Sequence, residues 1–279
     1  MRLKHIAVFG CGWFGLPLAK ALQQAGFTVS GSKTTAEGAA ALTAAGIRGV
    51  VLQLTASQPL PADLLEDCDA LVVNIPPGLR RGEDDYLQKL SQLAALVKES
   101  RVQRLVFVSS TGAYQQEGVL TEADLQLATS GSSAVLQQAE RMFQQLASDK
   151  RNVTIIRFAG LVGPARHPGR FMAGRTGLTG ASQAVNLVHL DDCIAAVISI
   201  LKAPQPAAVY NLSAPLTLDK QTFYCLAAEQ LGLPVPQFVA EEPRTLGKRI
   251  DGSFICRDLG FSYRYTDANS LLQACDSCI

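Results

Sequence analysis

Short apolar runs alternate along this chain with longer stretches in which apolar residues recur every three or four positions. The runs at 5–9, 27–31, 49–54, 69–75, 104–109, 153–158 and 209–212 read as buried strands. The stretches at 16–24, 36–45, 84–100, 132–147, 191–201 and 219–231 carry helical spacing. In the first helix Leu16, Ala19 and Leu22 share a face, Pro17 falls in the first turn where a missing N–H costs little, and Gly26 stops it. Glycine and proline crowd residues 160–180, which predicts loops. Strands that alternate with helices predict a parallel sheet with right-handed crossovers. The expected fold is therefore α/β: a Rossmann-type, doubly wound parallel sheet over residues 1–160, completed by 186–212, with residues 161–279 mainly a smaller substrate region.

Composition supports this and narrows the chemistry. Hydrophobic residues make up 48% of the 279 and charged residues 18%, enough apolar material for a core. The formal net charge of +1 gives no general attraction to nucleic acid or membrane, and no basic patch is interleaved with aromatics. No apolar run reaches the roughly 20 residues of a membrane span, and the run at 6–9 is too short for a leader, so a cytoplasmic location is expected. Seven dispersed cysteines fit reduced thiols. Cys275 and Cys278 form a C-x-x-C with no second ligand pair, and His5 and His167 have no partners at ligand spacing, so no metal site is expected.

The most specific signal is Gly10-Cys11-Gly12-Trp13-Phe14-Gly15, a G-x-G-x-x-G between the first strand and the first helix. Gly10 permits the tight turn, Gly12 lets a pyrophosphate approach the backbone, and Gly15 lets helix and sheet pack closely. Backbone N–H groups around Trp13 and Phe14, with the helix dipole, favour the anion. The second strand ends Ser30-Gly31-Ser32-Lys33-Thr34, with no Asp or Glu before Glu37. NAD sites commonly place an acid there for the ribose 2′-hydroxyl. Ser32, Lys33 and Thr34 offer hydroxyls and a cation instead, which favours NADP over NAD, although NAD can bind without the acid.

Together with later segments, these residues resemble the extended short-chain dehydrogenase/reductases, NAD-dependent epimerase/dehydratase-like proteins, and more narrowly their atypical, YeeZ-like subgroup. The marks are the glycine turn, Asn74-Ile75-Pro76-Pro77-Gly78, Val108-Ser109-Ser110-Thr111-Gly112-Ala113-Tyr114, residues 157–164, 188–192 and 210–213, and Gly247-Lys248-Arg249-Ile250. The resemblance implies that Ile75, Pro76 and Pro77 lie along the cofactor. It puts Ser109 and Ser110 beside the nicotinamide, with Ser110 matching the family's catalytic serine or threonine, and makes Ala159, Gly160 and Leu161 flank the ring. It implies an oxidoreductase or epimerase acting on a small carbonyl, hydroxyl or nucleotide-sugar compound.

One departure stands against it. The family's acid/base is the tyrosine of Tyr-x-x-x-Lys on the helix after the fifth strand. With Glu140 registered on the family's glutamate, Ser132 stands for the tyrosine and Leu136 for the lysine. Serine is a very poor acid near pH 7, and leucine offers neither charge nor donor. The remaining candidates for proton chemistry are Ser110, Thr111 and Tyr114, the last against a packing role. The alternative is a non-catalytic NADP(H)-binding sensor or regulator. Arg157, Arg166, Arg170 and Arg175, and likewise Arg80 and Arg81, are candidate anion grips or solvated loop cations, and His189 with Asp191 and Asp192 reads as structural.

Overall fold

The computed structural model describes residues 3–55, 60–78, 85–240 and 247–276. In chain order the elements are β1 (His5–Phe9), α1 (Gly15–Gln24), β2 (Thr28–Lys33), α2 (Ala36–Ala44), β3 (Arg48–Val51), β4 (Ala70–Val73), α3 (Tyr86–Glu99), β5 (Arg104–Ser110), β6 (Gly118–Leu120), α4 (Gly131–Gln144), β7 (Asn152–Phe158), β8 (Gly160–Val162), α5 (Gly169–Met172), β9 (Leu187–His189), α6 (Leu190–Lys202), β10 (Val209–Leu212), α7 (Lys220–Gln230), β11 (Lys248–Ile250), α8 (Phe254–Leu259) and α9 (Ala268–Asp276). The seven predicted strands are the seven of the central parallel sheet, ordered β10–β7–β5–β4–β1–β2–β3. The order reverses between β1 and β4, the place where open α/β sheets bind ligands beyond the carboxyl ends of their strands.

The chain divides into two compact units. The first comprises Met1–Ala113, Leu127–Arg157 and Val197–Val209. All five residues of β1 and all four of β4 are buried, as parallel strands covered on both faces must be. Phe9, Leu71, Leu90, Leu105, Phe107 and Phe143 belong to its core, and the Phe107 and Phe143 rings stack 4.6 Å apart.

The second unit comprises Tyr114–Gln126, Phe158–Ala196 and Tyr210–Ile279. It holds two parallel two-stranded ribbons, β6 with β11 and β8 with β9, and a core that includes Val162, Leu187, Phe223, Leu271 and Leu272. This corrects the expected boundary at residue 160 in two places. Tyr114–Gln126 goes with the later unit because β6 pairs with β11. Within 186–212, β10 joins the main sheet, whereas β9 pairs with β8 in a separate ribbon.

Candidate functional site

The glycine turn has the geometry its spacing requires. Gly10 has φ +96° and an ideal Cβ there would sit 2.0 Å from Asn74 O, so the position admits only glycine. A Cβ at Gly15 would sit 2.2 Å from Gly10 O. Gly12 differs: its Cβ would meet nothing within 4 Å, so the backbone there faces open space. Two side chains brace the turn. Ser32 Oγ accepts the Gly10 N–H at 2.9 Å, and Asn74 Nδ2 donates to Gly10 O at 3.0 Å. Cys11 points inward against Gly31, whose Cβ would lie 2.7 Å from its Sγ, and burial pushes its thiol up to about 11. Trp13 is half-buried, Phe14 is buried at the N-cap of α1, and the helix runs on from Gly15. A bend closed by glycines, with open space over Gly12 and a helix N-terminus behind it, fits a dinucleotide pyrophosphate.

Ser32, a candidate ligand in the sequence, has a structural task in the turn. It is buried and its hydroxyl holds the turn. Lys33, half-buried at the end of β2, and exposed Thr34 remain beside it. Ile75 and Pro77 are half-buried and Pro76 is exposed, just beyond β4, and Tyr86 Oη donates to Ile75 O at 3.1 Å. Arg80, Arg81 and Cys278 lie outside the described residues.

Ser109 also departs from expectation. Its Oγ donates to Glu140 Oε1 at 2.5 Å, and Glu140 is in turn held by Arg157 at 2.7 Å, with both members of that pair buried. The side chain thus faces α4, and Arg157 is a buried structural cation rather than a substrate grip. Successive strand residues point to opposite faces, which leaves Ser110 on the other side, half-buried, its Oγ accepting from Gly112 N at 3.1 Å. Thr111 is buried at the start of the short turn Thr111–Ala113. Helix α4 clamps that turn: Ser133 Oγ donates to Gly112 O and Gln137 Nε2 to Ala113 O, each at 2.9 Å. Ser132 is exposed, whereas Leu136 is buried, with its Cδ1 3.4 Å from an ideal Cβ at Gly112. In this unit the glycine turn, Lys33, Ile75 and Ser110 are gathered at the carboxyl ends of adjacent strands β2, β1, β4 and β5.

In the second unit Tyr114 is 3% exposed, and its hydroxyl lies 2.8 Å from Thr121 O and 2.9 Å from Asn211 Oδ1. The candidate proton donor is a buried tie in the packing with Leu120 and Ile250. Ala159 is buried, Gly160 exposed and Leu161 half-buried; a Cβ at Gly160 would sit 2.7 Å from Leu187 Cδ2. Arg166, Arg170 and Arg175 are exposed. His189 is structural, as expected: its Nδ1 accepts the Asp191 N–H at 3.1 Å, and Asp192 Oδ1 accepts from Arg264 N.

Sequence reasoning overlooked a cavity of about 380 Å³ in this unit, lined by Asn186, Ser213, Leu216, Arg249, Asp251 and Tyr263. Asn186 joins its walls by donating to Lys248 O at 2.7 Å and accepting from Ile250 N at 2.8 Å. The signal available was Gly247-Lys248-Arg249-Ile250, which carried the resemblance without being assigned a role. Among the described residues no group of three His, Cys, Asp or Glu could hold a metal ion, and no helix is long and apolar enough to cross a membrane.

The chain matches the NAD(P)H-binding family over residues 10–201. It is 40% identical over 272 residues to Protein YeeZ of Escherichia coli (strain K12), covering 95% of this chain and 97% of that protein. Its fold is similar to that of a functionally unknown conserved protein from Silicibacter pomeroyi (TM-score 0.77, 23% identity, 98% of each chain covered). It is also similar to UDP-glucuronic acid 4-epimerase from Bacillus cereus, solved with UDP-glucuronic acid and NAD (TM-score 0.74, 17% identity, 97% of each chain). At those identities the two structures speak for the fold, while the match over residues 10–201 and the near full-length relative speak for descent: the chain belongs to the NAD(P)H-binding family and is a relative of Protein YeeZ.

Proposed function

We propose that this protein is an NADP(H)-dependent enzyme of oxidoreductase or epimerase type, acting on a nucleotide sugar or another small carbonyl or hydroxyl compound in the cytoplasm. The observation that carries the reading is the turn after β5, held rigidly by α4 while Ser110 stays half-exposed at the carboxyl edge of the sheet. A turn clamped by two side-chain bonds is pre-organised, and pre-organised donors are what polarise a substrate oxygen. When bound, the nicotinamide would supply or accept the hydride. The residues that would hold it are Gly10, Gly12, Trp13, Phe14 and Gly15 at the pyrophosphate, Lys33 and Thr34 at the 2′-phosphate, and Ile75, Pro76, Pro77, Ala159, Gly160 and Leu161 along its length. Ser110, aided by Thr111, would donate to the substrate oxygen. Tyr114 would position the segment rather than move a proton. In the second unit the cavity with Arg249, about 380 Å³, lies within the usual range for small ligands and would take a small anionic group.

A second reading, a non-catalytic NADP(H) sensor, has one observation in its favour: α4 has neither tyrosine nor lysine and presents Leu136 where the family's cation is expected. A panel of nucleotide sugars and carbonyl compounds, followed by NADPH oxidation or by epimer analysis, separates the two. Turnover that falls at least a hundredfold in Ser110→Ala supports the enzyme. Tight NADPH binding with no turnover on any member favours the sensor.

A further inference from the structure

The first unit carries a second polar cavity, at the opposite end of its strands from the glycine turn. Its floor is Arg104, the first residue of β5, whereas Ser110 is the last. At about 3.3 Å per residue the two ends are roughly 20 Å apart. The cavity, about 610 Å³ and open to solvent, is lined by Gln103, Arg104, Lys150, Arg151, Asn152 and Lys202. Four cations and a single carboxylate, Asp149, thus surround one space in a chain of net charge +1.

The cations are not equivalent. Arg151 is committed to the fold, with Nε donating to Val102 O at 2.8 Å and Nη2 to Ser100 O at 3.0 Å. Arg104 is not: Nη2 donates to Pro204 O at 3.2 Å, while Nη1 is buried with no acceptor among the described residues. Arg104 as a whole is half-buried, but a guanidinium nitrogen that is itself buried with its donor unused carries a cost that an arriving anion would relieve. Lys150 and Lys202 are exposed at the rim and pair with no carboxylate among the described residues. The carboxyl ends of α6 at Lys202 and of α4, just before the lining residues Ala147 and Ser148, carry partial negative charge that opposes an anion. Those partial charges are smaller than the surrounding positive charge.

We propose that this cavity binds a small phosphate-bearing anion. Arg104 serves as the forked donor and Lys150 and Lys202 as point charges at the mouth. The site is separate from the dinucleotide site and independent of the catalytic reading above.

The test is calorimetric titration of inorganic pyrophosphate into the full chain, with saturating NADPH present to keep the probe off the glycine turn. Saturable binding at one site is expected. It should weaken at least tenfold in Lys150→Gln/Lys202→Gln and in Arg104→Gln, with NADPH affinity unchanged. The lysine substitutions lie on the exposed rim, so that variant reports even if Arg104→Gln fails to fold. No saturable binding, or full affinity retained by the lysine variant, overturns the proposal.

Discussion

Gly12 is the only glycine of the turn with room above it, and that room makes it testable. Gly12→Val should fold normally, because its Cβ meets nothing within 4 Å, yet it should abolish NADPH binding by filling the space where pyrophosphate meets the backbone. Normal circular dichroism with unchanged affinity would place the cofactor elsewhere. Lys33 and Ser32 separate in the same way. Loss of one charge-assisted hydrogen bond costs about 1.5–3 kcal/mol, so Lys33→Ala should narrow the preference for NADPH over NADH by about ten- to a hundredfold. Ser32→Ala should weaken both cofactors together, since its hydroxyl braces Gly10. Parallel titrations with both cofactors check this, and an undiminished preference in Lys33→Ala sinks the assignment. The third residue-scale prediction concerns Glu140 and Arg157. Removing one partner of a buried pair leaves the other uncompensated, at about 3–5 kcal/mol. Arg157→Met should lower stability by that order in urea unfolding, with loss of turnover following from unfolding rather than from lost substrate contact.

At the scale of elements, α4 is where family resemblance and local chemistry part. Its inner face carries Ser133, Gln137 and Glu140, spaced three or four apart, and all three are spent on the β5 end. Ser132 lies off that face and is exposed. Ser132→Ala should therefore leave any turnover within about twofold, whereas losing an acid/base typically costs 10²–10⁴-fold, and Ser110→Ala should fall in that range. The reverse ranking in a turnover assay would show that the chemistry runs through α4. The same strand and helix show what the sequence could convey. The apolar run 104–109 predicts β5 to within a residue, because Leu105, Val106 and Phe107 are buried in succession and a strand covered on both faces reads as a continuous apolar run. Which way Ser109 and Ser110 face was not legible. That depends on Glu140 and Arg157 closing a buried pair across 17 residues. Likewise β6, β8, β9 and β11 are three residues each, too short for a period, and exist through pairing with distant partners.

For the molecule as a whole, composition foretold a large core but not how each unit would treat its histidines. All three are buried, and burial holds each below its usual range. Geometry agrees. His167 Nδ1 accepts the Gly169 N–H at 3.0 Å and His189 Nδ1 accepts the Asp191 N–H at 3.1 Å, so a second proton on either ring would meet a donor. In the first unit His5 lies 3.1 Å from Asp67 O through Nδ1, which leaves Nε2, 2.6 Å from Ser30 Oγ, as the acceptor. Asp276, 3.4 Å from His167, and Asp191, 3.6 Å from His189, pull toward protonation, but desolvation outweighs them. A group whose pKa is lower in the folded state takes up its proton more readily when unfolded. Stability from these rings is thus complete above about pH 6.5, the unfolded value, and falls as pH drops through it toward the folded values. Each histidine contributes a slope of at most about 1.4 kcal/mol per pH unit. The lowered carboxylates Asp69 and Asp251 act only nearer pH 4, and Asp192, raised by burial, works in the opposite sense below neutrality without a matching group. The urea midpoint should therefore be flat from pH 8 to 7 and decline between pH 6.5 and 5. In His167→Gln/His189→Gln that decline should shrink, leaving the part due to His5. A midpoint that holds constant down to pH 5, or a decline that the double substitution does not alter, would show that the buried rings do not govern the acid side of stability.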